Sequence, residues 1–192
     1  MIAAFYGLRR SEIVGLKWSA IDFEEKIITV SHTVLEAHID GRHVLVKQDR
    51  TKTKSSFRSL PLVPEIEQML RRKREQQRIQ QRLCGAEYAE EGKEYIFVDA
   101  MGNLIKPEFI TRHFSALLKK EGMKKIRFHD LRHSCASLLL KNGIGMKEIQ
   151  LWLGHSNFNT TANTYSHLDY SSKLHSAMTM EKCLNYTRAA NA

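Results

Sequence analysis

HDLRHSCASLLLKNGIGMKEIQLWLGHSNFNTTANTYSH, residues 129–167, gathers several histidines, an arginine and a tyrosine into one stretch. Its first part has helical periodicity: Leu131, Cys135, Leu138 and Leu139 recur at i, i+4, i+7 and i+8, an apolar stripe for a core. His129 and Arg132 stand three apart at the start of that helix and so project from one face beside the stripe. Asn142-Gly143 reads as the helix stop, and Ile149, Trp152 and Leu153 predict a second, short helix ended by Gly154. His155 then emerges just past a cap. Asn157 to Thr164 is rich in Thr and Asn, poor helix formers, which places Tyr165 on a marginal element. The combination suits attack on a phosphate.

The order and spacing of these residues carry a resemblance. His129-x-x-Arg132, then Leu153-Gly154-His155, then Tyr165 ten residues after that histidine with Ser166-His167 behind it, resembles the second half of the active site of the tyrosine recombinases, the phage integrase family. FYGLRRSEIVGLKW, residues 5–18, resembles the family's first active-site motif. On it Arg9 matches the catalytic arginine after Gly-Leu, and Glu12 the acid that braces the motif. Ala20 departs from the Asp that relatives often carry before the Ile, a change in a turn and not in the chemistry. TKTKSSFRSLPL, residues 51–62, aligns with the hairpin that carries a catalytic lysine in relatives; Lys52 is the better match and Lys54 the alternate. Outside such a pattern, an arginine in a helical turn or a lysine in a loop is a solvated side chain.

The resemblance implies an α+β fold, a mainly helical catalytic domain with a small three-stranded antiparallel sheet. It implies site-specific DNA recombination, the integration or excision of a mobile element, through a 3′-phosphotyrosine intermediate. Arg9 and Arg132 would hold the phosphate, His155 would donate to it, His129 would help take the proton from the nucleophile Tyr165, and Lys52 would protonate the leaving 5′ oxygen. The chemistry conserves bond energy and needs no cofactor and no metal. The expected partner is double-stranded DNA, engaged by a homo-tetramer that is a monomer when free, with accessory DNA-bending or directionality factors. Residues 1–192 read as one catalytic domain with a tail helix at about 171–186, and the DNA-gripping and arm-binding domains of relatives are expected to lie outside this chain. In relatives the segment after the nucleophile docks on a neighbouring protomer; docking in cis is the alternative.

Composition is consistent with this. The formal net charge is +9 and the pI about 9.5, which favours a polyanionic partner. From Arg50 to Arg82, ten Lys and Arg stand against three acids, a net +7 in 33 residues. A chain of 192 residues with 42% hydrophobic content can bury one sizeable core. No apolar run approaches the ~20 residues of a membrane span, and the N-terminus lacks signal-peptide regions, so a cytoplasmic location without membrane contact is expected. Cys84, Cys135 and Cys183 are odd in number and far apart, which reads as free thiols.

Along the chain, Met1 to Gly7 reads as the end of a helix and Ser11 as the cap of another that buries Ile13, Leu16 and Trp18. Ile27–Val30, Val34–Ile39, Val44–Val46 and Phe57–Leu60 predict a three-stranded antiparallel meander with a hairpin turn at Asp40-Gly41. Pro64 to Leu83 predicts a helix with Ile66, Met69, Leu70, Ile79 and Leu83 as its thin stripe. After an acidic loop, Tyr95–Val98 predicts a short strand. Glu108 to Lys120 predicts a helix resting on Phe109, Phe114, Leu117 and Leu118, with Arg112 and His113 at the surface.

Three rival readings come from other classes. His129 and His133 form H-x-x-x-H, as in zinc proteases, but residue 130 is Asp and no third ligand follows at an obvious spacing. A type IB topoisomerase shares the chemistry but relaxes supercoils; Leu-Gly-His and the short tail favour the integrase branch. A catalytically silent DNA-binding module conflicts with retention of every catalytic residue type.

Overall fold

The computed structural model describes residues 1–49, 57–155 and 177–182. Lys52, Lys54 and Tyr165, and with them Cys183, lie outside the described residues. Among the described residues five strands are present: β1 (Ile21–Asp22), β2 (Ile27–Val30), β3 (His32–Ile39), β4 (Arg42–Asp49) and β5 (Arg58–Pro61). Among the described residues up to 155, six α-helices accompany them: α1 (Ile2–Tyr6), α2 (Arg10–Val14), α3 (Pro64–Cys84), α4 (Pro107–Lys120), α5 (Asp130–Lys141) and α6 (Met146–Leu153). Residues 177–182, inside the expected tail helix, are helical.

The expected class, mainly helical with a small antiparallel sheet, is what the chain adopts, but the strands pair differently. β1, β2 and β5 form the three-stranded sheet, with β2 central, and β3 and β4 form a separate two-stranded hairpin. The hairpin itself follows the sequence. Asp40 (φ 49) and Gly41 (φ 75) make the tight turn, and eight residue pairs run from His32 opposite Asp49 to Ile39 opposite Arg42. What the meander reading misplaced is β5, which returns past the hairpin to pair with β2, Ile28 opposite Leu60. Tyr95–Val98 is not a strand: Tyr95 bridges Lys17 and Val98 bridges Leu104, each singly. Their side chains are buried all the same.

The largest core cluster packs Tyr6 and Leu8 against Ile28, Leu60 and the N-terminal half of α3, Ile66 and Leu70. Beyond Leu70 the expected α3 stripe fails, since Ile79 and Leu83 are exposed. The inward position there is Gln77, which accepts from Trp18 Nε1 (2.9 Å) and donates to the carbonyls of Gly92 (2.8 Å) and Tyr95 (3.1 Å). A buried amide with every group satisfied ties α3 to the segment after it. On α4, Leu118 is buried while Phe109 and Leu117 are exposed. Arg112 and His113 lie at the surface as expected.

The N-terminal motif caps differently from expectation: Arg9, not Ser11, is the N-cap of α2, with Glu12 at the third position bonding back to the Arg9 N–H (2.8 Å). On α5 the stripe is also shifted. Arg132, Cys135, Ala136 and Leu140 are buried and Leu138 is exposed, so the arginine lies in the core-facing stripe itself.

Candidate active site

α5 can bury Arg132 because three acceptors meet it there. Nη1 donates to the Gly7 carbonyl (2.7 Å), Nη2 to the Leu153 carbonyl (2.6 Å) and Nε to His155 Nε2 (3.3 Å). Gly7 caps α1 and Gly154 caps α6, both in the left-handed region (φ 61 and φ 68). Helix C-termini carry unsatisfied carbonyls and partial negative charge, so one guanidinium neutralises two helix ends at once. The approach is tight, for a Cβ on Gly7 would lie 2.5 Å from Leu153 Cδ2. Glycine is the residue that satisfies both the dihedral and the space.

Arg9 arrives from the other end of the chain. Its Nη1 donates to Glu12 Oε1 (2.7 Å) and its Nη2 makes a long 3.5 Å contact with the Gly154 carbonyl, 145 residues away. Glu12 is fully buried. It also accepts both Nη groups of Arg58, Nη1 to Oε1 at 3.2 Å and Nη2 to Oε2 at 3.0 Å. Burial alone would raise the Glu12 pKa; Arg58 first and Arg9 second outweigh it and hold it at about 2. The expected brace role of Glu12 thus extends to two arginines. Arg58 is the residue sequence reasoning missed, and a signal existed: in β5 it shares the inward parity with Leu60, while Ser59 faces out.

His155 follows the Gly154 cap, and its carbonyl accepts from Gln150 Nε2 (3.0 Å). Because Arg132 Nε–H points at Nε2, that nitrogen is an acceptor and the ring proton sits on Nδ1. Its pKa is pushed down to about 4, first by burial, then by the nearby Arg132, Arg9 and Arg58. His129 lies more openly beside α5, its ring edge-on to His133 at 5.0 Å. Its pKa is lowered too, by partial desolvation and then by His133, Arg132 and Arg9. Burial first and the cationic surround second lower both pKa values, which favours the neutral rings.

Arg9, His129, Arg132 and His155 are therefore brought together, while Lys52 and Tyr165 lie outside the described residues. Arg9 and His129 line an open cleft of about 590 Å³ together with Arg10 and Arg127. Arg58 and His155 line a second, of about 650 Å³, between β5 and α6 with Lys147 and Gln150. Arg132 is 3% exposed and lies behind these residues. Among the described residues no three His, Cys, Asp or Glu side chains converge as a metal site, and no helix is long and apolar enough to cross a membrane.

A family model for the phage integrase family matches residues 1–172. The chain belongs to the phage integrase family. Within that family it is 31% identical, over 94% of its length and 47% of the relative's, to a XerC-like tyrosine recombinase of Caldanaerobacter subterraneus. It is 26% identical, over 88% of its length and 41% of the relative's, to the transposase of transposon Tn916 from Enterococcus faecalis. Among solved structures it is similar to the Tn1549 transposon integrase in complex with transposon right end DNA, with a TM-score of 0.74 and 26% identity over 94% of this chain and 57% of that one. XerA recombinase is similar at a TM-score of 0.62 and 27% identity, over 94% and 55% of the two chains. The chain spans about half the length of the curated relatives it matches.

Proposed function

We propose that this integrase-family chain carries the chemistry of site-specific recombination, the breaking and rejoining of DNA strands for the integration or excision of a mobile element. The observation that carries the reading is the meeting of Arg9, Arg132 and His155 around the Gly154 cap, Arg9 coming from more than 120 residues before the other two. A phosphodiester resists nucleophiles through its own charge, and its pentavalent transition state carries more. Two guanidiniums that stay ionised at any working pH supply the compensating charge in a fixed geometry.

In this reading Arg9 and Arg132 hold the non-bridging oxygens and His155 donates from Nδ1. Tyr165 attacks phosphorus, its proton passing to neutral His129 as the base. The 3′ phosphate becomes joined to the tyrosine oxygen, and the 5′ oxygen leaves with a proton from Lys52, or from Lys54 in its place. Reversal by the 5′ hydroxyl of a second strand restores the phosphodiester, so no external energy source enters. Double-stranded DNA is the substrate, and a homo-tetramer on paired sites, monomeric when free, is the acting form, with accessory DNA-bending or directionality factors in attendance. The DNA complex of the Tn1549 integrase supports DNA as the partner.

The test is a nicked suicide duplex carrying the joined ends of the element that encodes the chain, incubated in excess EDTA. A denaturation-resistant protein–DNA adduct is expected. Loss of strand cleavage in EDTA, restored by zinc, would instead support the H-x-x-x-H reading, since metal-activated water leaves no covalent adduct, and absence of any adduct would overturn the recombinase reading.

A further inference from the structure

The Glu12 carboxylate is shared by two guanidiniums, and the arrangement has a purpose that one arginine would not serve. Arg58 donates to both oxygens, at 3.2 and 3.0 Å, whereas the Arg9 side chain donates to Oε1 at 2.7 Å and its backbone N–H donates to Oε2. Arg58 is 6% exposed and Glu12 not at all, while the Arg9 side chain is 32% exposed and opens onto the cleft. An isolated Arg9–Glu12 pair would be neutral and would draw the guanidinium into a bidentate fork on the carboxylate. Counting Arg58, the three groups carry two positive charges against one negative, so a net cation remains at the exposed end.

We propose that Arg58 is a positioning residue that sets the charge of Arg9: by occupying both oxygens of Glu12, it lets the carboxylate orient Arg9 without neutralising it. Arg58 also packs beneath the cap that Arg9 touches. A Cβ on Gly154 would lie 2.8 Å from Arg58 Nη1, so β5 supports the same backbone whose carbonyl meets Arg9 Nη2. The inference rests on the reading of Arg9 as a phosphate-binding arginine, and it identifies what keeps that arginine available.

The probe is inorganic phosphate, titrated while the Arg9 Nε–H resonance is followed by NMR, so that no cleavage is needed. In wild type the resonance shifts with phosphate. Arg58→Met weakens that response by about tenfold or more, because Arg9 then collapses onto Glu12. Arg58→Lys, which keeps the charge, stays within a factor of about three of wild type. Glu12→Gln added to Arg58→Met restores the response, since a neutral side chain has no charge to impose on Arg9. That double variant also removes both members of a buried ion pair together, so it retains more stability than Arg58→Met alone and gives a folded comparison. Cleavage of the suicide duplex, measured well below the melting temperature, follows the same order. A merely structural Arg58 predicts lower melting temperatures with phosphate binding and cleavage per folded molecule unchanged, and that result overturns the proposal. If wild type binds phosphate at Arg9 but forms no adduct, the recombinase reading falls and the charge-setting role stands.

Discussion

Arg132 Nε–H donates to His155 Nε2 across 3.3 Å, and the same guanidinium holds the carbonyls immediately before each of the turns that deliver Arg9 and His155. One buried cation thus fixes a tautomer and two backbone turns. The histidine is neutral in the fold because burial disfavours the charged ring and a protonated ring would place a second cation against Arg132.

That neutrality has a pH consequence. With a folded pKa of about 4 against an ordinary value near 6.5, the unfolded chain binds a proton at His155 that the folded chain refuses. The associated stability is fully present above about pH 6.5 and is lost as the pH falls towards 4. Urea denaturation of wild type and His155→Gln across that window gives a shallower dependence in the variant. Equal slopes would show that the ring is protonated in the fold.

Glu12 acts at lower pH and with the opposite chemistry. Its folded pKa of about 2 lies below the ordinary carboxyl value, so its contribution is present above about pH 4.5 and is lost as the pH falls towards 2. The full effect is on the order of 3 kcal/mol. Glu12→Ala strands Arg58 in the core and costs about 3–5 kcal/mol at neutral pH. Glu12→Gln costs less and removes the acid-side slope. Chemical denaturation at pH 3 and pH 7 measures both.

Gln77→Leu is the substitution that hydropathy alone would favour on α3, and it destabilises the protein. Leucine cannot pair with Trp18 Nε1 or with the carbonyls of Gly92 and Tyr95. Each buried group left unpaired costs about 1–3 kcal/mol. A lowered denaturation midpoint at unchanged m-value is the expected result; an increase would mean that water replaces the amide.

Gly154→Ala strains the α6 cap on two counts, the left-handed φ of 68 and the 2.8 Å approach to Arg58. The dihedral alone costs about 1–2 kcal/mol. The covalent adduct should fall further than stability does, because the cap places both the carbonyl that meets Arg9 and the histidine that follows. Melting curves beside adduct yield at a temperature where the variant is folded separate the two effects.

These residues also show what a sequence reveals. Helix stops at Gly7 and Gly154 were legible because a left-handed cap demands glycine, and the hairpin at Asp40-Gly41 because its turn demands positive φ. The grouping of Arg9, His129, Arg132 and His155 was legible through ordered motifs. Strand pairing was not: alternation marks β2 and β5 as strands but is silent on which neighbour each takes once a hairpin intervenes. On α5, Leu131, Cys135 and Leu139 pack inward as their spacing predicts, but Leu138 is exposed, and buried hydrogen bonds let Arg132 share the inward face. In the sequence Arg58 is one of ten cations in a basic run. Only its parity with Leu60, and the buried Glu12 that needed a partner, distinguish it from the solvated arginines of α3.

The central claim, that this site breaks DNA by tyrosine attack, is tested most directly by mapping the covalent bond. The adduct formed on the suicide duplex is digested with protease and nuclease, and the nucleotide-bearing peptide is sequenced by mass spectrometry, for wild type and for Tyr165→Phe. The account predicts a 3′-phosphate on Tyr165 in wild type, and no adduct in Tyr165→Phe with DNA binding retained within a factor of about three. An adduct that persists in the phenylalanine variant, or maps to Tyr170 or Tyr186, would contradict it.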